Sequence, residues 1–165
     1  MNDDRRADLT RMLDQYDERL RSDAARTQKT KQADADFLAR FAKLRRDVVW
    51  PVFEAAATML VRRGHGVEID EEEFGVDAEG KVREAGISLS IAPAGMAAQL
   101  HAGDHERSLS ITTRHYNKTV WISAGRPLEA GGVAGAKGAY PLERIDRLLV
   151  EEQAVRLVAS VMGGG

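Results

Sequence analysis

Between Asp3 and Val49, apolar residues recur in alternating steps of four and three: Leu9, Leu13, Tyr16 and Leu20, then, in the same register, Phe37, Phe41, Leu44 and Val48. That spacing places them along one seam of a helix with a coiled-coil-like heptad frame. The stretch contains no proline or glycine, and good helix formers (Ala, Arg, Lys, Gln and Leu) dominate it. Asp3 and Asp4 suit the positive end of such a helix, while Asp17 with Arg21 and Asp36 with Arg40 form acid-before-base pairs at helical spacing. One continuous helix would be about 70 Å long, more than a domain of this size can cover.

The centre of the seam differs from its ends. The frame there selects Asp23, Thr27, Thr30 and Asp34, and a carboxylate without a partner is costly to desolvate. The pattern therefore predicts two apolar ends joined by a polar middle. In a parallel, in-register pair, Arg40 would meet Arg45 and Arg26 would meet Lys31, so antiparallel pairing or a different protein partner is favoured. The alternative is that Phe37 to Val48 pack on the chain's own domain and leave the first half as a solvated arm.

Trp50-Pro51 marks a kink or a restart, because the residue before proline is biased away from helical geometry. A second helix follows from Pro51 to Arg63, with Val52, Phe53, Ala56, Met59 and Leu60 on one face and Gly64 as its stop. From Gly66 the period becomes twofold: Val67 and Ile69, then Ile87, Leu89 and Ile91, alternate with polar residues as in half-buried strands. Asp77 to Gly80 forms a turn between them. Ser108 to Tyr116 and Thr119 to Ser123 predict a hairpin turning at Asn117-Lys118, which pairs His115 with Val120, Thr113 with Ile122 and Ile111 with Ala124, and sets Arg114 facing Trp121. A glycine-rich connection over Gly125 to Gly138 leads to a last helix from Pro141, its apolar face being Leu142, Ile145, Leu148, Leu149, Val155, Val158 and Met162.

The expected fold is α+β: a long N-terminal helical arm over 1–50, then a domain over 51–165 with a short helix, a four- or five-stranded, mainly antiparallel sheet and a C-terminal helix, the helices lying on one sheet face. The 165 residues suit one arm and one domain. With 24 basic and 26 acidic residues, the formal net charge is −2, which gives no bulk attraction to nucleic acid or anionic membrane. There is no cysteine, hence no disulfide or cysteine-based zinc site. The absence of an apolar leader or a membrane-length apolar run predicts a soluble, cytoplasmic protein.

Candidate chemistry is sparse. His101 and His105 have the spacing of two metal ligands on one helix face, with Asp104 and His115 as further ligands, but a Gly-Asp turn signal between them opposes the helix, and exposed loop histidines are favoured. The acidic run Glu68 to Glu73 can attract a cation or a basic partner, but it lacks the spacing of a calcium loop, and a charged edge strand that resists edge-to-edge pairing is favoured. Lys137, in the glycine-rich stretch ahead of a helix, offers an anion site, but without the residue order of a nucleotide loop, and a flexible connection is favoured. Arg114 with Trp121 can hold a ligand or a base, or simply pack across the strands. No cofactor, metal or catalytic set is predicted. The expected function is a nonenzymatic protein-interaction or assembly module that self-associates, or binds a partner, through the seam. The alternative is a small-molecule-binding domain or enzyme using the sheet, the histidines and the glycine-rich loop.

Overall fold

In the computed structural model, which describes residues 2–95, 107–124 and 136–163, the first helix α1 runs Asp3–Leu44. Asn2 caps it, its side-chain oxygen accepting a hydrogen bond from the Arg5 amide at 3.0 Å. The chain divides into two compact units, Met1–Asp36 and Phe37–Gly165.

The first unit is helix alone. Its ion pairs are one turn apart and exposed, Asp8 with Arg11 at 3.4 Å and Glu18 with Arg21 and Asp23 with Arg26 at 3.9 Å. Each contributes a few tenths of a kcal/mol. The partners differ from those expected. Arg21 takes Glu18 rather than Asp17, Asp36 accepts from Gln32 at 2.9 Å, and Arg40 reaches Glu143 at 2.5 Å within the second unit.

In the second unit the helix does not break at Trp50-Pro51. A π-helical turn over Arg45–Val49 leads directly into α2, Trp50–Arg62, with Pro51 in its first turn. The buried residues explain this turn: Phe37, Phe41, Arg45, Val49 and Phe53 are spaced by fours. Each such step overruns an α-helical turn by about 40°, and the wider π turn absorbs the excess, keeping Val49 and Phe53 on the core. Gly64, at φ +85°, then ends α2, with the Gly64 amide bonded to the Val61 carbonyl and the His65 amide to that of Leu60. These two bonds make a Schellman closure, and the left-handed backbone calls for glycine.

Strands β1 (Gly66–Glu72), β4 (Gly86–Ala92), β5 (Ser108–Arg114), β6 (Thr119–Ala124) and β7 (Ala136–Tyr140) form one antiparallel sheet in the order β1-β4-β5-β6-β7. Between β1 and β4, β2 (Gly75–Val76) and β3 (Val82–Arg83) form a small ribbon whose tip is the expected Asp77–Gly80 turn. Strand β7 occupies sequence assigned above to the glycine-rich connection, so only its earlier part, 125–135, is left, and it lies outside the described residues.

The β5–β6 register differs by two residues from the expected one. Thr113 pairs with Val120, Ile111 with Ile122 and Leu109 with Ala124, and the turn is four residues, His115 to Lys118. A two-residue shift preserves the sheet face, so the apolar alternation is still satisfied. What removes His115 from the ladder is Glu84, whose carboxylate accepts from the His115 amide and meets its ring.

A short 3-10 turn, Leu142–Arg144, precedes α3, Arg147–Met162. The helix starts at Asp146, which caps the Leu149 amide at 2.8 Å, and not at Pro141. The core of the second unit joins Phe41, Val49, Phe53, Val150 and Leu157 from the helices to Ile87, Leu89, Ile91, Leu109, Ile111, Val120 and Ile122 from the sheet.

Candidate interaction site

The seam expected from the sequence divides in two. In the first unit, Leu9, Leu13, Tyr16 and Leu20 are 45–55% exposed, and Met12, which adjoins them on the helix, is 63% exposed. They occupy positions separated by three, four and seven residues, hence one face, over about 17 Å of helix axis. Apolar side chains gathered on one face are more informative than scattered exposed ones. The polar centre at Asp23, Thr27 and Thr30 follows.

The other four seam residues serve the second unit's own core. Phe37 and Phe41 are buried, and Leu44 and Val48 are packed against that core. Phe37 and Phe41 are therefore unavailable to a partner in the folded chain, whereas Leu44 and Val48 are only half-buried. The buried line follows the fours, Phe41, Arg45 and Val49, where a strict heptad selects Leu44 and Val48.

Arg45 is the polar member of this line and only 8% exposed. Its guanidinium donates to the Glu72 carbonyl at 3.0 Å, the Gly86 carbonyl at 3.3 Å and the Glu73 carboxylate at 2.5 Å; Glu71 lies at 3.5 Å. A planar fork can meet two carbonyls and a carboxylate together, which an ammonium cannot. Two carboxylates of the acidic run Glu68 to Glu73 thus meet a cation of the same chain. With its guanidinium held by its own chain, Arg45 is not free to meet Arg40 of another copy as the heptad frame expected.

Helix α3 carries two apolar stripes. Val150, Ala154 and Leu157 are buried, whereas Leu148 is 73%, Val155 68% and Met162 37% exposed. The sequence pattern assigned the latter three to the core; their spacing of seven residues sets them together on the face opposite Val150, Ala154 and Leu157. Beside this stripe, α2 and α3 enclose a mainly apolar groove of about 390 Å³. Buried Val52 and Ala154 and exposed Pro51, Ala55, Met59 and Val155 line it, with Asp47, Arg147 and Glu151 as its polar members.

Gln153 is buried on the same helix, and its side-chain oxygen has no hydrogen-bond partner among the described residues. Gln153→Met keeps the unbranched shape and removes the stranded oxygen, so it is expected to stabilise the fold by about 1 kcal/mol. A raised urea midpoint with unchanged slope checks this.

The remaining candidates lie elsewhere. Arg114 stacks on Trp121, its guanidinium 3.9 Å from the ring centroid, and donates to the Tyr116 hydroxyl at 3.3 Å. The pair is diagonal across β5 and β6, a cross-strand contact with a cation–π contribution. Lys137 belongs to β7, and α3 begins only at Arg147; the lysine does not precede a helix N-terminus as an anion loop requires. His101 and His105 lie outside the described residues. His115 Nδ1 meets Glu84 Oε1 at 2.5 Å, and Glu84 Oε2 accepts from the buried Thr113 hydroxyl at 2.8 Å. The Phe74 ring packs edge-on against the imidazole at 5.1 Å between centroids. This cluster ties the segment before β4 to the β5–β6 turn.

Among the described residues, no group of three or more metal-capable side chains is gathered, and no helix is long and apolar enough to cross a membrane. No protein-family model, curated protein or solved structure matches the chain.

Proposed function

We propose that this protein is a nonenzymatic interaction module that self-associates through the helix of its first unit. One observation carries the reading: Leu9, Met12, Leu13, Tyr16 and Leu20 form an exposed apolar face on a helix whose unit has no core of its own. Most helical stability in proteins comes from packing an apolar face, and a solitary, highly charged helix lacks that source. Removing the face from water contributes about 25 cal/mol per Å² of apolar surface. The polar residues from Asp23 to Asp34 limit the contact to the outer part of the arm, and Arg26 facing Lys31 disfavours a parallel extension.

Native mass measurement of the full chain across a concentration series tests the reading. A dimer or larger assembly is expected, converting to monomer in the double variant Leu13→Glu, Tyr16→Glu. A full chain that stays monomeric at every concentration removes it.

A further inference from the structure

Self-association leaves open the direction in which two arms meet and the residues that face each other. We propose that the arm of a second copy runs antiparallel along the first, with Leu9 packed against Leu20, Leu13 against Tyr16, and Arg6 of each copy meeting Asp23 of the other. The inference rests on the self-association reading and adds its direction and register. It involves the first unit alone.

Spacing selects the register. From Leu9 the seam runs by steps of four, three and four to Leu13, Tyr16 and Leu20, and one further step of three at either end reaches Arg6 and Asp23. The series reads the same in both directions, so a copy turned end for end sets every member against another member. Reversal in this register gives four wholly apolar layers. Sliding one copy by seven residues leaves only two of them: one slide sets Tyr16 against Arg6 and Leu20 against Asn2, the other Leu13 against Asp23 and Leu9 against Thr27. Apolar burial therefore favours the first register over its neighbours.

Charge selects the direction. Arg6 and Asp23 are exposed on the same stripe of α1 as the apolar face. In the reversed copy the apolar layers are closed at both ends by an Arg6–Asp23 contact of opposite sign. A parallel, in-register copy makes the same number of apolar layers but closes them with Arg6 on Arg6 and Asp23 on Asp23, and adds Arg26 against Lys31. Like charges so placed are unfavourable, and opposite ones fix the partner's orientation. Asp23 has an in-chain partner in Arg26 at 3.9 Å, but the two side chains are 72% and 79% exposed, so that pair is shared or exchanged at little cost. On the flanks of the reversed pair, Met12 lies against the alkyl stem of Arg19, and Thr10 against Asp17. Arg5 against Arg26 is the like-charge contact that remains, outside the apolar layers, where salt screens it. Four layers make a short interface, so association is concentration-dependent and sensitive to the contacts that close it.

Charge reversal in the full-length chain tests the pairing. Arg6→Asp alone, or Asp23→Arg alone, turns both closing contacts into like-charge ones and is expected to weaken the dimer roughly tenfold, with unchanged far-ultraviolet circular dichroism. The double variant Arg6→Asp, Asp23→Arg restores opposite signs and should return the dissociation constant to that of the unmodified chain. In a parallel pair these layers carry like charges in all four chains, and no such rescue follows. The chain has no cysteine, so an equal mixture of Leu9→Cys and Leu20→Cys chains is expected to give a disulfide-linked dimer of the two under mild oxidation. Either variant alone should give little, because reversal separates Leu9 of one copy from Leu9 of the other by about 17 Å along the axis. A double variant as weak as the single ones, single variants as tight as the unmodified chain, or a rapid disulfide dimer from Leu9→Cys alone would each overturn the antiparallel register. In those cases the unmodified chain still measures as a dimer and self-association stands. A monomeric unmodified chain removes both readings together.

Discussion

Arg45→Ala is expected to destabilise the second unit by about 3 kcal/mol, lowering the midpoint of urea unfolding and raising no alternative fold. The guanidinium supplies hydrogen bonds to the Glu72 and Gly86 carbonyls and to Glu73. Truncation strands these acceptors and opens a void beside the Phe41 ring, whose centroid lies 5.9 Å from the guanidinium carbon. A buried acceptor left without a donor costs about 1–3 kcal/mol. The Glu73 carboxylate, at 72% side-chain exposure, can return to water. Glu73→Gln should therefore cost under about 1 kcal/mol, as for other exposed ion pairs. Arg45→Lys should fall between, since an ammonium keeps the charge but cannot span both carbonyls. If Glu73→Gln proves as damaging as Arg45→Ala, the ion pair rather than the carbonyl contacts holds this site. The consequence reaches beyond one side chain: Arg45 begins the π turn and ties it to the end of β1 and the start of β4, so its loss loosens the junction of helix and sheet.

Much of the architecture was visible in the sequence for a simple reason. Twofold alternation at Ile87, Leu89 and Ile91, and at Leu109 and Ile111, is produced only by a sheet with one apolar face, and the structure buries these side chains. Gly64 likewise announced the end of α2 through its backbone geometry. What pattern alone missed depends on long-range partners. The β5–β6 register turns on Glu84 capturing His115, two residues far apart in the chain, and a two-residue slip leaves the hydrophobic pattern unchanged. Leu148, Val155 and Met162 lie opposite Val150, Ala154 and Leu157 on the same helix, and packing against the rest of the core selects the second set. A local signal existed for Arg45: the fours from Phe37 to Phe53 fit a helix with a widened turn better than they fit a heptad, and they include the arginine. The apolar face of the arm was equally legible, because it needs no tertiary context to be described. The groove between α2 and α3 was not, because the two helices meet only in the folded chain.

Two residues of one heptad seam should respond oppositely to truncation. Phe41 is fully buried and Leu13 is 55% exposed. Phe41→Ala removes a packed ring from the core and is expected to cost about 3–5 kcal/mol, seen as a lower unfolding midpoint at every protein concentration. Leu13→Ala leaves that core untouched. Within a monomer its effect should stay within about 0.5 kcal/mol, as for surface substitutions. Its effect on assembly should instead appear as a dimer dissociation constant weakened by roughly tenfold to a hundredfold, from about 1.5–3 kcal/mol of lost apolar burial summed over the two copies, Leu13 being already half-buried in one chain. Unfolding midpoints measured across protein concentrations separate the two: the Phe41→Ala deficit persists at high dilution, whereas the Leu13→Ala deficit vanishes there, because association stabilises by mass action. A Leu13→Ala deficit that persists at high dilution would place Leu13 in a fold-stabilising contact within one chain. If neither the midpoint nor the dissociation constant moves, the face around Leu13 takes no part in assembly. The alternation of fours and threes cannot distinguish these roles, since both ends of the seam obey it. Burial does, and it divides the seam at the boundary between the two units.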